Sequence, residues 1–156
     1  MTSLRPSARL EELGLTLPPV AAPLAAYVPA TESCGQIITS GQLPSVDGKP
    51  VATGKVGAGV DPDQAAECAR VAVLNALAAA ASLAGGLDAI RRVVKVVVYV
   101  ASDPSFTGQP AVANGASELL GQVFADAGAH VRSAVGVTVL PLDVPVEVEL
   151  TVEAGA

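Results

Sequence analysis

The run from Val93 to Val100 is apolar apart from Lys95 and stops at Asp103-Pro104. That length and β-branched content predict a central strand covered on both faces. Only two long helical patterns are present to supply cover. The first opens at Asp61-Pro62-Asp63-Gln64, with Asp as N-cap, Pro at the first helical position and Gln three residues after the cap. It is expected to run to about Leu83, where Gly85-Gly86 supplies the stop. The second spans Pro110 to Ala127, with Val112, Ala116, Leu119, Leu120, Val123 and Phe124 at three- and four-residue spacing and Gly128 closing it. Two helices cover one face of a sheet of five or six strands. The other face must meet solvent or a second copy of the chain, and the Val93 to Val100 run argues against solvent.

Further strands are expected in the β-favouring stretch Gln36 to Gln42, with a turn at Asp47-Gly48, and over Ser133 to Leu140 and Val146 to Val152. Period-two alternation is read as placing Ser133, Val135, Val137 and Val139 on one face with Val146, Val148 and Leu150. The other face then carries Arg132, Ala134, Gly136 and Thr138 with Glu147 and Glu149. Ahead of all this, residues 1–24 hold a short amphipathic piece, Ala8 to Leu15, and the rigid Leu17-Pro18-Pro19-Val20 segment, which excludes a continuous helix. They are read as an N-terminal extension to one α+β domain over residues 25–156, a size that one core can fill.

The net charge of −6 repels phosphate backbones, and only Arg91-Arg92 places two cations side by side, so a nucleic-acid partner is not expected. Cys34 and Cys68 lack CxxC spacing, and His130 is the single histidine, which leaves no ligand set for a structural metal. The N-terminus lacks the pattern of a secretory leader, and no apolar run reaches the roughly 20 residues of a membrane helix. The expectation is a reduced, cytoplasmic protein without a membrane partner. The glycine-rich stretch Gly54 to Gly59 fits neither a Walker loop nor a dinucleotide fingerprint and is read as a flexible loop.

Arg132 is the residue best suited to chemistry. On a strand it rises over Ala134 and Gly136, a floor that leaves room for a small molecule, and a planar guanidinium binds a carboxylate through two parallel bonds. A pairing with Glu147 or Glu149, or a solvated strand end, is equally compatible with the residues. Glu147 and Glu149 share a face by spacing and can hold a water or move a proton, or stand as solvated acids. Cys68, inside an Ala-rich helix, reads as a core thiol, and His130 as a proton donor or a helix-end cap.

The stretch Tyr27 and Gly35 to Pro44 resembles the first motif of the reactive intermediate deaminase (Rid, YjgF-type) family, formerly labelled L-PSP endoribonucleases. Arg132-Ser133-Ala134-Val135-Gly136-Val137, Leu140-Pro141 and Val146-Glu147-Val148-Glu149 resemble its C-terminal signature. The Gly128-Ala129-His130-Val131-Arg132 pattern and the extension are similar to a longer branch. The resemblance implies a chorismate-mutase-like fold, with two helices on one face of a mixed sheet, and a homotrimeric barrel with clefts between subunits. It implies hydrolysis of enamine or 2-imino acid intermediates to 2-keto acid and ammonia, without a cofactor. Arg132 is implied to anchor the substrate carboxylate and Glu147 to position water. Tyr27, Ser40, Gly41, Asn114 and Ala134 match other pocket positions, with Ser40 implied as a hydroxyl donor and Tyr27 as a wall. Ala134 stands where the family's common cysteine would be, which keeps a second reading open: a non-catalytic trimer that binds or senses a small carboxylate such as a 2-keto acid.

Overall fold

The computed structural model describes residues 4–155, so the first three residues of the extension and the last residue of the domain lie outside the described residues. Three helices pack on one face of a five-stranded sheet. The elements are α1 (Pro6–Glu12), β1 (Ala30–Ser33), β2 (Gln36–Thr39), β3 (Ser45–Val46), β4 (Lys49–Pro50), α2 (Pro62–Ala84), β5 (Ile90–Ala101), α3 (Gln109–Phe124), β6 (Val131–Val137) and β7 (Val146–Ala154). The sheet runs β1-β2-β7-β5-β6, antiparallel except for the β5–β6 pair, while β3 and β4 form a separate two-stranded hairpin.

Local chemistry explains most of these boundaries. The carboxylate of Asp61 accepts from the backbone N–H of Gln64 at 2.9 Å and Pro62 follows it, so α2 starts where the capping pattern places it. Gly85 ends the helix in the left-handed region at φ 90°. The β1–β2 hairpin turns on Cys34 and Gly35, both at positive φ, which suits the right-handed twist of the flanking strands; the cysteine gave no turn signal in the sequence. Asp47-Gly48 makes the corresponding turn between β3 and β4. Asn75, on the buried side of α2, donates to the carbonyls of Leu43 and Ser45 at 3.0 Å each and fastens the segment after β2 to the helix.

Three readings are corrected. First, α3 ends at Phe124, where Ala125 turns to positive φ, and the chain passes through a 3-10 turn, Ala125–Gly128; Gly128 lies against the Leu120 carbonyl, where a side chain would not fit. Second, the Gly54 to Gly59 segment is anchored: Val56 and Val60 are buried, and the Val56 N–H bonds to the carbonyl of Ala101 at 2.8 Å. Third, α2 is long and apolar enough to cross a membrane by length and composition, which the sequence reading missed; most of it is buried within the fold against the sheet and α3.

The core is small aliphatic, as composition requires. Val96, Val98 and Val100 of β5 and Val146, Val148 and Leu150 of β7 meet the alanine and leucine surface of α2 and α3. The opposite sheet face is uncovered by the described residues. It carries Ile38, Val131 and Val135 well exposed, with Val97 and Tyr99 half-buried between them. At the far end of the helix layer, Asp88 accepts from the N–H and hydroxyl of Ser7 at 2.9 and 2.8 Å and so holds α1 in place.

The two thiols differ sharply. Cys68 is buried in α2, and burial, with the charge of Glu67 beside it, pushes the thiol up to about 11. Cys34 is exposed at the hairpin turn. A disulfide-exchange reagent at pH 8 is expected to modify one thiol per folded chain and both after denaturation. Rapid modification of both in the native protein would contradict the packing of α2.

Candidate functional site

Arg132 does not share a face with Glu147. β6 pairs with β5, not β7, and the register sets Arg132 beside Val96, Ala134 beside Val98 and Gly136 beside Val100, all on the helix-covered face. Glu147 lies opposite Tyr99 and Glu149 opposite Val97, on the open face. The alternation within each strand is as expected, but the phase between strands is reversed. The link through Pro141–Asp143, where Leu142 and Asp143 adopt positive φ, carries the chain across β5 and resets which side each residue occupies.

The first cluster forms around Arg132 against α3. Its Nη1 donates to Asn114 Oδ1 at 2.8 Å and to Ser117 Oγ at 3.1 Å, and its Nη2 donates to the Pro110 carbonyl at 3.2 Å. Residues 110, 114 and 117 recur at four- and three-residue spacing, so one stripe of α3 holds the guanidinium. All three acceptors are neutral. Arg132 has no carboxylate partner among the described residues, which rules out the pairing with Glu147 or Glu149 left open above. Nη1 has both hydrogens engaged and Nη2 has one, while Nε has no acceptor among the described residues; two donors remain for an anion. Ala134 sits half-buried beside this group and contributes no polar atom.

The second cluster forms where β2 meets β7. The ladder passes from Ile38↔Thr151 to a bridge between Gln42 and Val148, so β2 carries one extra residue there, a bulge that places Gly41 against Glu147. A Cβ on Gly41 would occupy the space of the Glu147 carboxylate. Glycine is therefore required by close approach and not by its φ. Burial, and then the charge of Glu149, raise Glu147 above the ordinary carboxylate range. Tyr99 donates its hydroxyl to Glu149 Oε1 at 3.1 Å, and burial, followed by that acidic neighbour, raises the phenol in turn.

Ser40 differs from the expectation. Its hydroxyl donates to the Val28 carbonyl at 2.6 Å, so the oxygen is left as an acceptor rather than a donor toward a ligand. The same bond ties the Tyr27 segment to this second cluster; Tyr27 is exposed, and its hydroxyl accepts from the Leu24 N–H at 3.3 Å. Tyr99, Ser117 and Pro110 were not singled out by sequence. Tyr99 is hidden in an apolar strand pattern, and Ser117 and Pro110 show no motif until helical spacing is combined with the β6 register.

Gly41→Ala is expected to push the Glu147 carboxylate out of its seat while leaving the Arg132 cluster intact. Turnover of a carboxylate substrate should fall about as far as in a Glu147 variant while its binding persists; equal turnover in Gly41→Ala and wild type would show that the seat is not used.

The arrangement has known relatives. Residues 7–154 match the family described as "YjgF/chorismate mutase-like, putative endoribonuclease". Protein TCP17 of Trypanosoma cruzi is 43% identical over 154 residues, covering 98% of this chain and 96% of that protein. The crystal structure of Atu1372, a protein of unknown function from Agrobacterium tumefaciens, is 43% identical, covers 97% of this chain and 92% of its own, and superposes with a TM-score of 0.87. TdcF of E. coli, solved with bound serine, is 25% identical with a TM-score of 0.58, covering 89% and 94% of the two chains. With its sheet, α2, α3 and both motif regions inside the matched span, this chain belongs to the YjgF/chorismate mutase-like family.

Proposed function

We propose that the protein is a hydrolytic deaminase of enamine-derived 2-imino acids, working at a site shared between copies of the chain. The observation that carries this reading is the pair of open donors on Arg132, a guanidinium held by three neutral oxygens with no acid beside it among the described residues. Such a group is set to receive a carboxylate. TdcF, a family relative, was solved with serine, an amino acid with that group.

Arg132 and Glu147 lie on opposite faces of the sheet, roughly 10 Å apart across two strand spacings and roughly 10 Å further along the strands, since Arg132 pairs with Val96 and Glu147 with Tyr99. One chain therefore offers an anchor and an acid that do not face a common space. β6 is an edge strand, and the open face beside it carries Val131 and Val135 exposed. Both features favour cover by another copy, which in a closed ring brings the Arg132 cluster of one chain to the Glu147 cluster of the next. A homotrimer satisfies this arrangement.

The chemistry consumes only water. Glu147 takes a proton from a water as the water's oxygen bonds to the imine carbon and the C=N electrons pass to nitrogen; Glu147 returns that proton to the nitrogen, and the remaining hydroxyl proton follows it as the carbonyl forms and ammonia leaves. Products are the 2-keto acid and ammonia. Ala134 favours one alternative, a trimer that binds 2-keto acids without turnover, since it supplies no thiol or hydroxyl to the cleft. Freshly generated 2-iminopropionate separates the two. The deaminase accelerates ammonia release, and in light scattering it has the mass of three chains. Binding of pyruvate without acceleration supports the sensor, and a monodisperse monomer that turns over at full rate would overturn the shared site.

A further inference from the structure

Ser117 and His130 have no part in the chemistry above, yet they are joined to its anchor. We propose that they are positioning residues for Arg132, a directed hydrogen-bond chain that fixes which edge of the guanidinium faces the ligand; this rests on the reading of Arg132 as the carboxylate anchor.

The direction follows from what each atom can do. A carbonyl only accepts, so the 2.6 Å contact between His130 Nδ1 and the Gly128 oxygen places the ring hydrogen on Nδ1. In the neutral ring Nε2 is then an acceptor, and at 2.9 Å it takes the hydroxyl hydrogen of Ser117. Having given up its hydrogen toward His130, Ser117 Oγ presents lone pairs only, and one of them receives Arg132 Nη1 at 3.1 Å. Asn114 Oδ1 and the Pro110 carbonyl receive two more guanidinium hydrogens. The donors left over are the Nε hydrogen and one Nη2 hydrogen, available to a carboxylate.

Without His130 the serine hydroxyl rotates freely and can turn its own hydrogen toward the cation. The chain from Gly128 to Arg132 excludes that state. A serine–histidine contact of this length also occurs where a serine is activated as a nucleophile. Here the oxygen takes a guanidinium hydrogen as it releases its own, which draws electron density away from it and suits positioning rather than attack.

The chain has a single histidine, so the imidazole ¹⁵N spectrum of the intact protein reports one ring. Expected for the neutral ring are a protonated Nδ1 and a hydrogen-bonded, unprotonated Nε2, with the Nε2 resonance moving to that of a free nitrogen in Ser117→Ala. A protonated Nε2 in the wild type, or a resonance indifferent to Ser117→Ala, overturns the proposal. Calorimetric titration with pyruvate gives the functional arm. Ser117→Ala and His130→Phe should each weaken binding about tenfold, the scale of one hydrogen bond to a charged group, and Ser117→Thr should restore it. If Arg132→Ala abolishes binding while Ser117→Ala and His130→Phe bind as wild type does, the positioning chain is wrong and the anchor stands. If Arg132→Ala binds as wild type does, or the wild type does not bind pyruvate, the anchor reading fails and the chain has nothing to position.

Discussion

Arg132→Ala is expected to lower kcat/KM for 2-iminopropionate hydrolysis by at least about a hundredfold, with little change in Tm. The size follows from the bond type: two parallel charge-assisted hydrogen bonds to a carboxylate are lost together, each worth about 1.5–3 kcal/mol. The small stability effect follows from the partners. Asn114 and Pro110 are exposed, so their oxygens turn to water when the guanidinium is gone, and no acid is left with an unpaired charge. Arg132→Lys should recover little, because a single ammonium with three donors cannot satisfy Asn114, Ser117, Pro110 and a carboxylate at once. Initial rates of ammonia release, beside thermal melts of the same samples, check both halves. An alanine variant with wild-type kcat/KM would mean that the substrate carboxylate is held elsewhere.

The fold was legible where short-range chemistry dictates it. Asp61-Pro62 and Gly85 set the ends of α2 with no help from tertiary contacts, and the valine run marked β5 as a strand needing two covers. Arg132 could be singled out as a candidate anchor too, while a salt bridge or a solvated strand end fitted the same residues equally well. Its surroundings were not. Alternation fixes faces within β6 and within β7 but not the relation between them, which depends on β6 adding to β5 in parallel on the far side from β7. That one topological fact moved Glu147 away from Arg132 and replaced it with Asn114 and Ser117. The bulge that seats Glu147 over Gly41 likewise depends on β2 pairing with a strand about 110 residues later, as the bond from the Leu150 N–H to Thr39 Oγ1 at 3.1 Å records. Such long-range register leaves no local signature.

Glu147→Gln should separate activity from stability in opposite directions. The variant keeps the shape of the side chain and its seat over Gly41 but cannot take a proton from water, so kcat is expected to fall by about 10²–10⁴-fold, the usual contribution of a general base, with KM nearly unchanged. In the wild type, burial and the neighbouring Glu149 charge hold this carboxyl above its ordinary value of 4.5. As a base it works only when ionised, so wild-type kcat/KM should climb with pH through that raised value, and the residual activity of the glutamine variant should lack the limb. For stability, the raised value means that the folded state holds the proton more tightly than the unfolded chain does. Raising the pH from below 4.5 through the folded-state value therefore costs the wild type stability, a cost that remains at neutral pH. Glutamine carries no such charge, so the variant should melt above the wild type at pH 7, and the gap should close as the pH falls below 4.5. Melting curves at both pH values, set beside the rate profiles, decide the matter. A variant that is less active and also less stable at pH 7 would show that the carboxylate is stabilised where it sits, and that the close approach of Gly41 serves the fold rather than a proton transfer.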